Sequence, residues 1–196
     1  MERTMKRKTF DKIVTAIGAG LTIFLFTSAF LLNWGANFAE ESVSSQLENQ
    51  NISFPAAEAM PEATKAQLAK WSEMQVTTGE MARDYSDLYI WEHMEASAIA
   101  AVGKPATYSE VSGMYMGLVR GGSTDTEQIA KLGDLRQTLF MGNTLRGMLL
   151  EAYAFGTMGT IAGYGAIAAL LGGLLMLVLT LAGLLHIRRT PDSATI

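Results

Sequence analysis

Two long apolar runs separated by a polar middle set the pattern of this chain. The first, residues 13–32, reads Ile-Val-Thr-Ala-Ile-Gly-Ala-Gly-Leu-Thr-Ile-Phe-Leu-Phe-Thr-Ser-Ala-Phe-Leu-Leu without a charge. The second, residues 152–187, meets no Lys, Arg, Asp or Glu until Arg188. About twenty apolar residues at ~1.5 Å rise cross a hydrocarbon core of ~30 Å, so each run is long enough to span a bilayer. The first run exceeds the ~7–15 apolar residues of a signal-peptide core. The best cleavage position, after Ala39, has Asn37 where a small residue is required. A retained anchor is therefore expected.

Between the runs the apolar positions recur with helical spacing. Ala36, Ala39, Val43 and Leu47 extend the first span as an amphipathic helix. Asn49 to Pro55 ends it, because the residue before proline disfavours helix. Pro61 suits the first turn of a helix from Glu62 to about Met74. Thr77 with Glu80 reads as a capping box for a helix carrying Met81, Tyr85, Leu88 and Tyr89 to about Ala101. Thr107 with Glu110 opens a short helix to about Leu118, and Thr124 with Glu127 opens another. Ile129, Leu132, Leu135 and Leu139 form its stripe. Gly142-Asn143-Thr144 then predicts a break, since glycine suits a helix end and Asn or Thr a new cap. Leu145, Met148, Leu149, Ala152 and Phe155 resume the period into the last span. No strand alternation and no repeat of solenoid period is visible.

The pattern predicts an all-α protein in which two transmembrane helices bracket an extracytoplasmic helical bundle. Its expected divisions are a cytoplasmic N-terminus (1–12), a first span (13–34), a helical domain (35–155), a second span (156–187) and a cytoplasmic C-terminus (188–196). Charge gives the orientation. Arg3, Lys6, Arg7, Lys8 and Lys12 precede the first span, and Arg188 and Arg189 follow the second, which places both termini in the cytoplasm. Acidic residues outnumber basic ones by roughly two to one in the middle, which argues against nucleic acid as a partner. The 196 residues carry a net charge of −4 and no cysteine. That excludes disulfides and Cys-based zinc, iron–sulfur or c-type haem sites. A mean hydropathy of +0.19 fits a few spans plus one polar domain.

Few residues point to chemistry. His93 has Tyr89 and Ile90 before it and Ala96 and Ser97 after it at helical spacing, so no second ligand shares its face. Met60, Met74, Met81, Met94, Met114, Met116 and Met141 include a Met-x-Met pair of the kind that selects Cu(I), but methionine also fills irregular helical cores. Gly121-Gly122-Ser123-Thr124 lacks the following Gly-Lys-Ser/Thr of a phosphate loop. No catalytic set is legible, and no metal or other cofactor is expected. The strongest non-catalytic feature is the small residues Gly159, Ala162, Gly163 and Ala166 on the second span and Gly18 on the first, which permit close helix packing. Trp34, Arg188 and Arg189 read as anchors at the membrane interfaces.

The block Gln137–Gly156, with Lys6-Arg7-Lys8-Thr9-Phe10-Asp11-Lys12, Thr77-Thr78-Gly79 and Thr107-Tyr108-Ser109-Glu110-Val111-Ser112, resembles a family of small actinobacterial two-span membrane proteins. The resemblance runs through nearly the whole chain in the same order. Some members are described as small subunits of aromatic ring-opening dioxygenases, and the resemblance therefore implies that activity as one alternative. Extradiol ring opening uses a metal held by two His and a carboxylate. This chain has only His93 and His186, expected on opposite sides of the membrane. The expectation from the residues is a non-enzymatic cell-membrane protein whose ectodomain binds a membrane-protein partner or a second copy, with an accessory subunit of an envelope or respiratory complex as one form of that role. A sensor ectodomain acting through a separate transducer is the other alternative.

Overall fold

A computed structural model describes residues 5–195, which are helical and contain no strand. Six α-helices follow one another: α1 (Arg7–Gln50), α2 (Lys65–Leu68), α3 (Gly79–Asp84), α4 (Trp91–Val102), α5 (Tyr108–Arg120) and α6 (Thr126–Arg189). A π-helix, Tyr85–Ile90, joins α3 to α4, and two short 3₁₀ turns, Ala57–Ala59 and Ala69–Trp71, flank α2. The chain forms two compact units. One comprises the chain up to Ala39 and from Met158 onward, the other Glu40–Thr157.

The first unit is an antiparallel helix pair. α1 and α6 run for 44 and 64 residues, and both are long and apolar enough to cross a membrane. Only 17% and 11% of their apolar windows are buried within the chain. The inward positions repeat every seven residues. On α1 they are Thr15, Thr22, Ala29 and Ala36, interleaved with Asp11, Gly18, Leu25, Leu32 and Ala39. On α6 they are Gly159, Ala166, Gly173, Thr180 and Ile187, interleaved with Ala162, Ala169, Met176 and Gly183. A seven-residue period keeps one seam facing the partner helix through a left-handed supercoil. Small residues recur in the seam and let the two backbones approach closely, so dispersion contributes to the pairing. The chain ends meet at one end of this pair. The Arg7 amide donates to the Ala194 carbonyl at 3.0 Å, satisfying an orphan donor at the start of α1, and Lys8 Nζ reaches Asp192 at 2.6 Å.

The second unit has two cores, and α6 contributes to both. Val43 and Leu47 of α1 pack with Phe54, Leu68, Val76, Met81 and Leu149. Met94 and Ala98 of α4 pack with Val111 of α5 and Leu132, Leu135 and Leu139 of α6. Asn51, in the left-handed region at φ 51°, ends α1, and Gly103 at φ 78° ends α4. The Thr107–Glu110 capping box is complete: the Glu110 amide donates to Thr107 Oγ1, and the Thr107 amide donates to Glu110.

Four expectations from the sequence are corrected. The helix from Glu62 to Met74 is only the single turn α2 and a 3₁₀ turn; beyond Trp71 the chain leaves the helix and pairs with Ile52–Phe54, the Phe54 amide donating to the Met74 carbonyl and the Val76 amide to the Ile52 carbonyl. The cap of α3 is Thr78, which accepts from the Met81 amide at 3.3 Å, while Thr77 Oγ1 lies 3.8 Å from Met81 Sδ. The cap of α6 is Asp125, which accepts from the Gln128 amide at 2.9 Å in place of Thr124. Most consequentially, α6 does not break at Gly142-Asn143 but continues unbroken to Arg189. The reason is steric. A Cβ on Gly142 would strike Met94 Sδ and would lie 2.7 Å from its Cγ. Glycine at this position admits the Met94 side chain to the bare backbone, which offsets its helix-propensity cost of about 1 kcal/mol.

Gly142→Ala is expected to destabilise the full chain in detergent. Overpacking costs about 1–3 kcal/mol, against the propensity gain of about 1 kcal/mol. In a Met94→Ala background the same change should become neutral or stabilising. Thermal unfolding of the four proteins by circular dichroism checks this, and the same sign in both backgrounds would refute the contact as the reason for the glycine.

The seam yields a second expectation. A Cβ on Gly183 would lie 2.6 Å from Thr15 Oγ1, whereas one on Gly163 would rest 3.8 Å from the Ala36 Cβ, an ordinary contact. Gly183→Ala should therefore lower the disulfide yield between cysteines placed at Leu25 and Gly172, and Gly163→Ala should leave it unchanged. The chain has no native cysteine to interfere. Equal yields in both variants would contradict the ranking.

Candidate functional site

The small residues expected to pack the spans lie in the seam, but at different depths. Gly159 and Ala166 are buried, Ala162 and Gly163 half-buried. Gly163 lies beside Ala36, whereas Gly18 lies beside Thr180, toward the end where the chain termini meet. The approaches at Gly183, Gly18 and Gly173 are closer than that at Gly163. Trp34 is 62% exposed and stacks on Phe38 at 5.8 Å. Arg188 and Arg189 are exposed in the last turn of α6. The seam is not wholly apolar. Thr22 donates back to the Gly18 carbonyl at 2.8 Å, and His186 Nε2 lies 3.6 Å from Asp11.

In the second unit the chemistry gathers around Tyr108, the first residue of α5. The Thr107–Glu110 box fixes the start of that helix, and Tyr108 lines a cleft on either side. One cleft, of about 220 Å³, has Met94 and Leu139 at its floor, with Trp91, Pro105, Glu95, Glu110 and Asn143 around it. Hydrogen bonds from Thr107 hold the Glu110 carboxyl below its ordinary range. The other cleft, also about 220 Å³, is lined by Tyr108, Gly133, Arg136, Gln137 and Phe140. A wider open groove runs along Ala101, Met114, Leu118, Asp125 and Lys131.

Three arginines of this unit are held in different ways. Arg146 donates through Nε to the Ser86 carbonyl at 3.2 Å and through Nη2 to Asp87 at 3.0 Å, with its guanidinium over Trp91 at 4.6 Å. The π-turn explains this contact. Widening the helix takes carbonyls out of line with their usual amides, and side chains from outside take them up: Arg146 at Ser86, and Thr64 Oγ1 at the Leu88 carbonyl at 2.7 Å. Arg83 pairs with the buried Asp84 at 2.7 Å. Lys70 at 3.1 Å and Trp71 Nε1 at 2.9 Å complete the Asp84 cluster. Arg136 makes no ion pair among the described residues. Its Nε donates to Ser112 Oγ at 3.1 Å and its Nη2 to Tyr108 at 3.4 Å.

The two histidines belong to different units, and among the described residues no three His, Cys, Asp or Glu side chains are placed to share a metal. His93 packs edge-on to Tyr89 at 4.4 Å. The sequence reading did not single out Thr15, Thr180, Gly173 and Gly183. The seven-residue spacing of small and hydroxyl side chains would have found them. Asp84 and Arg136 left no comparable signal, because Trp71 and Lys70 for the one and Ser112 and Tyr108 for the other come from separate stretches of the chain.

Asp84 gives a pH expectation. Burial pushes its carboxyl up, but hydrogen bonds from Trp71, Arg83 and Lys70 outweigh that and hold it below its ordinary value. A lowered folded value stabilises above the unfolded pKa of about 3.9 and is lost as pH falls through the folded value. Asp84→Asn should destabilise at neutral pH by about 1.5–3 kcal/mol, the range for hydrogen bonds to a charged group, since the Arg83 and Lys70 cations it leaves are partly solvent-exposed. Unfolding curves of the two proteins should converge as the pH drops below the ordinary carboxylate range; a constant gap at all pH values would contradict this.

The chain matches no protein-family model, no curated protein and no solved structure.

Proposed function

We propose that this chain is a non-enzymatic two-span membrane protein. Both termini lie in the cytoplasm, and residues from about 36 to 150 form an extracytoplasmic domain that binds a membrane-protein partner as an accessory subunit. The observation that carries the membrane reading is the exposure of the large apolar side chains of both long helices everywhere outside their narrow shared seam. Hydrocarbon is the solvent that such faces suit. Lys6, Arg7, Lys8, Lys12, Arg188 and Arg189 at the joined chain ends support the cytoplasmic placement. The second unit's two cores support a folded domain with a surface to offer.

A second reading, a ligand-binding sensor domain, draws support from the clefts beside Tyr108. On this reading the domain would act through a separate transducer. The ring-opening dioxygenase reading would need a metal-ligand set that His93 and His186, one in each unit, do not supply together.

Reporter fusions at residue 100 and at the C-terminus are expected to signal outside and inside respectively. A cytoplasmic signal at residue 100 would sink the topology. In mild detergent, cross-linking should capture a reproducible membrane partner or a second copy; a strictly monomeric particle would count against the accessory role.

A further inference from the structure

The second unit is acidic, and carboxylates for arginine are plentiful there. Arg83 and Arg146 each take one. Arg136 is half-buried yet takes none among the described residues. Its charge is instead held by two aromatic faces, with the guanidinium 5.8 Å from the Tyr108 ring centre and 5.3 Å from that of Tyr115. Both distances lie within the range of cation–π attraction. Gly133 allows the second ring in, since a Cβ there would lie 3.3 Å from Tyr115 Cε2. The result is a guanidinium fixed in place by rings and hydroxyls and left without a counter-charge.

Two of the five donors of that guanidinium are spent, on Ser112 and Tyr108. Three remain, and Arg136 lines an open cleft of about 220 Å³. The cleft's other walls are the Gln137 amide, the Tyr108 phenol and the ring of Phe140, which is 52% exposed; no acidic side chain lines it. Tyr108 accepts from Arg136, so its own hydroxyl proton is left for another acceptor. A planar fork with spare parallel donors matches a carboxylate, and the exposed ring beside it suits an apolar body. At ~30 Å³ per water, the cleft has room for a compact molecule rather than a folded segment.

We propose that the Arg136 cleft binds a small organic carboxylate, with the carboxylate on Arg136 and Tyr108 and the apolar part against Phe140. This site does not depend on the accessory-subunit reading, because it needs no partner protein.

The test uses the full chain in nanodiscs of neutral phosphatidylcholine, with benzoate as probe and benzyl alcohol, acetate and inorganic phosphate as comparators, followed by saturation-transfer NMR and calorimetry. Benzoate should bind more tightly than benzyl alcohol. Arg136→Gln should weaken benzoate by about tenfold or more, the loss of a charge-assisted hydrogen bond. Arg136→Lys should lie between the two, and Arg120→Gln, at an exposed arginine away from the cleft, should change nothing. Phe140→Ala removes an exposed ring without touching a core, so it decides the matter even if Arg136→Gln does not fold; it should weaken benzoate and leave acetate unchanged. Absence of benzoate binding, equal binding of benzoate and benzyl alcohol, indifference to Arg136→Lys and Phe140→Ala, or stronger binding of phosphate than of benzoate would each overturn the proposal.

Discussion

Bare backbone on α6 is the constraint on which the packing depends. At Gly142 it admits the Met94 side chain of α4. About three turns further along α6, Gly79 at the start of α3 rests against the backbone of Tyr153, where a Cβ would come 3.1 Å from the Tyr153 Cα and 3.2 Å from the Ala152 carbonyl. Gly156 then faces Gly79 in turn. In the helix pair the same device recurs at Gly163, Gly165, Gly172, Gly173 and Gly183. A 64-residue helix that repeatedly gives up side chains gives up propensity, at about 1 kcal/mol for each glycine relative to alanine. What it gains is approach distance, and dispersion rises steeply as atoms reach contact.

The same residue type therefore carries opposite meanings, and this is where sequence reading was weakest. Glycine followed by Asn and Thr satisfies every local rule for a helix end, yet Gly142 is helical because Met94, nearly fifty positions earlier, occupies the space beside it. Local chemistry sufficed where the partner is local. The Thr107–Glu110 box, the ends of α1 and α4, and the amphipathic continuation through Ala39, Val43 and Leu47 all depend on residues within a turn or two, and all were legible. Caps with two adjacent candidates were not resolved. Thr77 or Thr78, and Thr124 or Asp125, differ by one residue of backbone geometry that composition does not encode. The segment from Glu62 to Met74 failed for a tertiary reason: its C-terminal end is drawn out of the helix to pair with Ile52 and Phe54.

Charge was legible as a total and not as a set of pairs. The acidic balance of the middle is evident, but which arginine keeps a counter-ion depends on α3, the π-turn, α5 and α6 coming together. Asp84 collects Trp71, Arg83 and Lys70 from two separate stretches. Arg146 finds Asp87 across 59 positions. Arg136 collects Tyr108, Ser112 and Tyr115, all on α5, and its guanidinium is solvated by rings and hydroxyls instead of by a carboxylate. A guanidinium held this way loses less on binding an anion than one already paired, because no existing ion pair has to be broken first.

The helix pair solves the opposite problem, keeping polar atoms where few partners exist. Thr22 closes on its own helix at the Gly18 carbonyl, the usual recourse of a hydroxyl that faces an apolar seam. Thr180 Oγ1 and Asp11 Oδ2 are buried without a hydrogen-bond partner among the described residues. Valine would fill the position of Thr180 with nearly the same shape and no polar atom to satisfy, so packing alone does not call for threonine there. The hydroxyl lies against Gly18, at 2.8 Å from where a Cβ would stand. Only a glycine on the facing helix leaves room for it. Thr15 against Gly183 repeats the arrangement with the two helices exchanged. Each hydroxyl thus requires a glycine opposite, and a slip of the helices by one residue would set Cβ against Oγ. The seam fixes register through these two complementary pairs, which a uniformly alanine or leucine seam would not do.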